Sequence, residues 1–227
     1  MTTDLLWTGP DGAPTLVLAH GAGAAMDSAW LERMCGLFAE PSRGIRVARF
    51  EFGYMAARRA GTRKPPPKAE TLMGEYRAAV ADVIAVTGTP VAIDGKSMGG
   101  RVASMVADEL QSAGSVDALV VLGYPFHPPG SPEKLRTAHL EALSTPALFC
   151  QGTRDPFGRR DEVASYALAP GIRMLWLEDG EHELKPRTKI SGFTHAQHLA
   201  TTADAVAGFV RENARPSSSK PDSSTFG

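Results

Sequence analysis

Cysteine is nearly absent: Cys35 and Cys150 are the two thiols in 227 residues. That excludes a disulfide framework, and lone thiols within apolar runs suit a reducing compartment, where they read as small buried hydrophobes. Charge of one sign is also missing. Lysine and arginine total 24 against 25 acidic residues, for a net charge of −1, so neither nucleic acid nor an anionic membrane surface is expected as the main partner. No apolar run approaches the length of a membrane span, and "MTTDLLWTGPDG" has neither the basic segment nor the apolar core of a secretory signal. No internal repeat is present. A cytoplasmic location is the expectation.

What remains is a chain 43% hydrophobic and long enough for one domain with a substantial core. Short aliphatic runs alternate with helical patterns. The runs are Thr15–His20, Ile45–Phe52, Val91–Asp94, Ala118–Tyr124, Pro146–Gly152 and Arg173–Glu178. Several are apolar throughout, as strands covered on both faces are, so the sheet is expected to be mostly parallel. Helical spacing recurs in Ala69–Val86 and Met98–Ser112, and Asp161–Leu168 and Thr194–Glu212 are further candidates. The alternation predicts an α/β fold, an open sheet with helices on both faces.

Two segments read as irregular. Gly53–Lys68 is basic and carries a three-proline run that forbids a regular helix there, and Tyr124–Lys134 holds four prolines. The Ser/Pro-rich end, residues 214–227, reads as a disordered tail after a single domain over residues 1–213.

Three glycines crowd one serine in "VAIDGKSMGGRVASMVA". Gly95-Lys96-Ser97-Met98-Gly99 is a G-x-S-x-G placed after a strand pattern and opening a helix pattern, the context of a nucleophile elbow. So tight a turn strains the serine backbone and needs neighbours without bulk. A serine hydroxyl is a weak nucleophile and requires a base, and the base an orienting acid. Asp155 follows the strand Pro146–Gly152 and His182 follows the strand Arg173–Glu178, in the chain order that this fold demands. Glu178 and Asp179 lie nearer His182 in sequence and could supply the acid, although they also read as turn residues. Asp94 should point away from Ser97. Small residues after the first apolar run, His20-Gly21-Ala22-Gly23, would let the Ala22 N–H join the Met98 N–H as an oxyanion hole.

His20, His127, Lys96 and Arg154 are candidates for lining the site, and His139, His195 and His198 for surface or packing roles. Lys96, Arg58, Arg59, Arg154, Lys185 and Arg187 lie in or beside loops at the site end and could attract an acidic group.

These stretches resemble the α/β-hydrolases. More narrowly, "AHGAGAAMDS", "DGKSMGGRVAS", "GYPFHPPGSPEKLRTAHL", "QGTRDPFG" and "DGEHELKP" resemble a small dienelactone-hydrolase-like family shared by bacterial proteins, a testis-expressed eukaryotic protein and a subunit of a chromatin-modifying complex. The resemblance implies an α/β-hydrolase fold without a large lid domain. It also implies Ser97 as nucleophile, His182 as base and Asp155 as acid, with Ala22 and Met98 at the oxyanion hole. The expected function is serine hydrolysis of a carboxylic ester or related acyl bond in a small molecule, with no metal or cofactor. Acyl transfer, or a non-catalytic interaction module that keeps the fold, are the alternatives.

Overall fold

The computed structural model describes residues 3–62 and 65–215. In chain order the regular elements are β1 (Leu5–Thr8), β2 (Thr15–Ala19), α1 (Ala29–Ala39), β3 (Arg46–Phe50), α2 (Gly53–Arg59), α3 (Met73–Thr87), β4 (Val91–Lys96), α4 (Met98–Ser112) and β5 (Val116–Leu122). They continue with β6 (Ala147–Gly152), α5 (Arg160–Val163), β7 (Ile172–Leu177), α6 (Thr188–Ser191) and α7 (His195–Asn213). One sheet runs β1-β3-β2-β4-β5-β6-β7, with β1 antiparallel to β3 and every other pair parallel. The expected α/β architecture is therefore the observed one, and no inserted domain interrupts it among the described residues.

Parallel pairing explains the composition of the central strands. β2, β4 and β6 are buried at every position because helices cover both faces. On one face α3 and α4 pack Tyr76, Val80, Val102 and Val106 against Val17, Ile93 and Val121. On the other, Leu31, Met34 and Phe38 of α1 and Leu199, Val206 and Val210 of α7 meet Leu16, Leu18 and Val120. Both thiols are free and buried on this second face, and burial pushes the Cys35 thiol up to about 12. Tyr76 reaches through the first face to the ladder itself, its hydroxyl donating to Asp94 O at 2.6 Å.

Several sequence expectations require correction. β1 was not foreseen: it is four half-buried residues at a sheet edge, too short for a periodic signal. α1 was likewise not foreseen. The segment Gly53–Lys68 is not irregular throughout, because α2 fills its first half. The proline restriction is local and begins only at Pro65, six residues beyond the end of α2 at Arg59. The helix expected over Asp161–Leu168 is the single turn Arg160–Val163, and Pro170 bars any helical continuation from Ala169. The helix expected over Thr194–Glu212 begins one residue later, with Thr194 as its N-cap in a reciprocal pair with Gln197. Of the tail expected over residues 214–227, residues 216–227 lie outside the described residues. Among the described residues, no helix is long and apolar enough to cross a membrane.

Candidate active site

The carboxyl ends of β2, β4, β6 and β7 converge on one edge of the sheet. β4 runs directly into α4 through Ser97, whose backbone is held at φ 55° and ψ −114°, a region that L-residues rarely occupy. The flanking glycines permit this turn by letting backbone touch backbone. A Cβ on Gly95 would lie 2.1 Å from Gly100 N, and one on Gly99 would lie 2.6 Å from the carbonyl oxygens of Ala19 and His20. Any side chain at either position would have to displace main chain.

Ser97 Oγ lies 2.8 Å from His182 Nε2, and His182 Nδ1 lies 2.8 Å from Asp155 Oδ2. The structure thus brings together the three side chains singled out in the sequence. With Nδ1–H donating to the carboxylate, Nε2 is left to accept the serine proton. Asp155 is fully buried. Its second oxygen accepts from Phe157 N–H at 2.9 Å, so both carboxylate oxygens are engaged. The Phe157 ring also packs 4.3 Å from the His182 ring, centroid to centroid.

Gln151 was not singled out in the sequence. Its Nε2 donates to Asp155 Oδ2 at 3.0 Å and lies 3.2 Å from Tyr124 O, while its Oε1 accepts from Tyr124 N–H at 2.7 Å. Gln151 therefore orients the acid from within β6. The available signal was a lone amide in the otherwise apolar, fully buried strand "ALFCQG".

The alternatives for the acid are placed elsewhere. Asp179 accepts from the Arg187 N–H at 2.6 Å and from its guanidinium, and Arg154 stands 3.4 Å away. The hydrogen bonds from Arg187 hold the Asp179 carboxyl down to about 2. Glu178 is exposed. Asp94 points into the core between the strands and α1, fully buried and with both carboxylate oxygens unpartnered among the described residues. Burial raises its pKa well above the ordinary value, which favours the neutral acid over the carboxylate.

Side chains from several elements fasten the loop that carries His182 by four consecutive carbonyls. Lys96 Nζ donates to His182 O at 2.8 Å, Trp30 Nε1 to Glu183 O at 3.2 Å, and Arg154 Nη2 to Lys185 O at 3.3 Å. From α7, His195 Nε2 reaches Glu183 O at 2.9 Å, and His198 Nδ1 reaches Leu184 O at 2.9 Å. His195 and His198 thus have the packing roles expected of them. His139 contacts Ser104 Oγ at 2.9 Å, away from Ser97.

Among the expected site-lining residues, only Lys96 faces a cavity beside Ser97. It is 8% exposed, and burial lowers its ammonium to about 8. His20 is corrected from lining to support. Fully buried, it donates from Nδ1 to Gly21 O at 2.7 Å and accepts at Nε2 from Phe52 N–H at 3.1 Å. It is thereby fixed as a neutral ring under the loop that presents Ala22, and burial lowers its pKa. His127 is likewise buried, bonded to Pro128 O at 2.9 Å, and Arg154 is spent on the His182 loop and Asp179 O.

Ala22 lines both cavities that open beside Ser97, and Met98 is the first residue of α4. A helix's first N–H has no partner within the helix, and the positive end of the dipole lies there. Neither the Ala22 nor the Met98 N–H donates to a protein acceptor among the described residues. Among those residues, no group of three or more His, Cys, Asp or Glu side chains could hold a metal ion.

Residues 12–211 match the α/β hydrolase domain family. In structure the chain is similar to a dienelactone hydrolase from Anabaena variabilis, at 19% identity over 93% of this chain and 92% of that one, with a TM-score of 0.70. It is also similar to Est1E from Butyrivibrio proteoclasticus, at 14% identity over 94% and 98% of the two chains, with a TM-score of 0.66. An esterase domain of a Rhodothermus marinus protein aligns at 18% identity over 91% of each chain, with a TM-score of 0.63.

Proposed function

The chain belongs to the α/β hydrolase domain family, and from that footing we propose that it is a serine hydrolase cleaving a carboxylic ester or related acyl bond. One observation carries the reading: the unbroken line of hydrogen bonds from Ser97 through His182 to Asp155, each 2.8 Å long. In the proposed reaction His182 Nε2 takes the hydroxyl proton as Ser97 Oγ attacks the acyl carbon. The charge gained by the imidazole is stabilised by buried Asp155. The carbonyl oxygen becomes an oxyanion between the Ala22 and Met98 N–H groups, each worth about 3 kcal/mol in comparable sites. His182 returns the proton to the departing alkoxide, leaving Ser97 acylated. Water, deprotonated by the same imidazole, then releases the acid.

The dienelactone hydrolase and esterases similar in fold are consistent with acyl chemistry. The rival reading is a non-catalytic module, suggested by the resemblance of the sequence to the testis-expressed and chromatin-complex proteins. The strained Ser97 and its free path to His182 favour chemistry over that role. We read residues 1–213 as one domain, with a cytoplasmic location and a small acyl compound as substrate.

The test is direct. Purified protein should hydrolyse a p-nitrophenyl ester and be labelled at Ser97 by a fluorophosphonate probe, and Ser97→Ala should lose both. An unlabelled wild-type serine would favour the non-catalytic module, and equal turnover by the alanine variant would remove the assignment. Product analysis with added alcohols or amines separates hydrolysis from acyl transfer.

A further inference from the structure

Two cavities open beside Ser97, and they differ in charge. The smaller, about 400 Å³, is lined by Trp30 and Leu31 and balances Lys96 against Glu183. Among the described residues, the larger, about 820 Å³, has Lys68, Arg101 and Arg136 in its wall against the one carboxylate of Glu70. The mechanism above makes no use of those three cations.

Resting on the serine-hydrolase reading, we propose that the larger cavity receives an anionic group of the substrate, a carboxylate or a phosphate, on Arg101 and Arg136. The preferred substrates are then esters bearing a negative charge a short distance from the scissile bond.

The two arginines are held as binding groups are. Arg101 lies one helical turn after Ser97 on α4, on the same face. Its Nη2 donates to Glu70 Oε1 at 2.5 Å, while its Nε is buried with no partner among the described residues. Arg136 makes no ion pair among those residues, yet its backbone is fixed at both ends. Its N–H donates to Phe126 O at 2.8 Å, and its carbonyl accepts from Tyr124 Oη at 2.8 Å. Burial and the neighbouring Arg101 charge lower the Arg136 pKa. An anion between the guanidiniums would relieve that repulsion and supply the missing acceptors. Glu70 neutralises one cation of three, and exposed Lys68 adds attraction at the rim.

Three of the cations suspected from sequence are already paired. Arg59 is already held by Glu51 and Asp27, and Arg187 and Arg154 by Asp179.

The experiment compares kcat/KM for matched esters: p-nitrophenyl butyrate, p-nitrophenyl hemisuccinate with its charge on the acyl side, and 4-carboxyphenyl butyrate with its charge on the leaving group. Wild type should prefer one of the charged esters by about tenfold or more over neutral p-nitrophenyl butyrate. Arg136→Gln should collapse that ratio, Arg136→Lys should restore part of it, and Glu70→Gln should raise it. Inhibition by succinate and by inorganic phosphate tells carboxylate from phosphate. A neutral preference in wild type, or a ratio unmoved within about twofold by Arg136→Gln, overturns the proposal while leaving ester hydrolysis intact. If no ester turns over, calorimetric titration of succinate and phosphate into wild type and Arg136→Gln decides the matter. Binding lost in the variant supports the anion site, and no binding to wild type refutes it.

Discussion

Replacing Lys96 with methionine should make the protein more stable and less active. The ammonium is 8% exposed, and its pKa falls from 10.5 to about 8 on folding, chiefly through loss of hydration. The folded chain therefore binds fewer protons than the unfolded one between pH 8 and 10.5. Stability rises with pH through that window and is lost as pH falls through 8. At neutral pH the charge costs roughly 3 kcal/mol, at about 1.4 kcal/mol per pKa unit. Methionine removes that cost and fills a similar volume, but it leaves His182 O without its 2.8 Å donor, a loss of about 1–2 kcal/mol. The net gain of about 1–2 kcal/mol corresponds to a Tm higher by roughly 3–6 °C in a chain of this size. The carbonyls of residues 183–185 remain fastened, so the loop keeps its path while His182 loses one constraint. Turnover should fall about tenfold. Thermal unfolding at pH 7.5, urea titrations between pH 7 and 10.5, and ester kinetics read all three effects. A variant that melts below wild type, with a wild-type stability flat across that pH range, would refute the reasoning.

Gln151→Leu should lower kcat about tenfold or more with little change in KM, because it frees the Asp155 carboxylate without touching substrate; steady-state ester kinetics check this. Asp94 has a raised folded pKa, so its contribution is fully present below about pH 3.8 and lost as pH rises through the folded value. Asp94→Leu should therefore gain stability over wild type at pH 7.5 by about 1–3 kcal/mol and by less at pH 4.5, as read by urea denaturation. Gly99→Ala would set a Cβ 2.6 Å from two carbonyl oxygens and should cost about 2 kcal/mol or more together with loss of turnover, measured by thermal melting and ester assay.

The sequence made the central strands readable because each is buried on both faces and written in continuous aliphatic runs. The elbow was readable because steric necessity left three glycines around Ser97. Asp155 and His182 could be located because each follows such a run at its carboxyl end. Other features depended on partners far along the chain. Leu31, Met34, Cys35 and Phe38 carry helical spacing, but their burial is evident only once α7 lies against them. Arg59 ends α2 and Arg187 precedes α6, exposed positions where charged residues are common, and only the fold pairs them with Glu51, Asp27 and Asp179. Arg101 and Arg136 stand 35 positions apart and share a cavity wall only because α4 and the loop after β5 rise on the same side.

The loop bearing His182 is moored by its main chain as well as by the bonds of the imidazole to Ser97 and Asp155. Carbonyls 182 to 185 each take a side-chain donor from elsewhere, so four of the loop's anchors do not depend on which side chain occupies position 182. A lineage could trade away the imidazole in one step and inherit an undamaged scaffold, ready for recruitment to a task without chemistry.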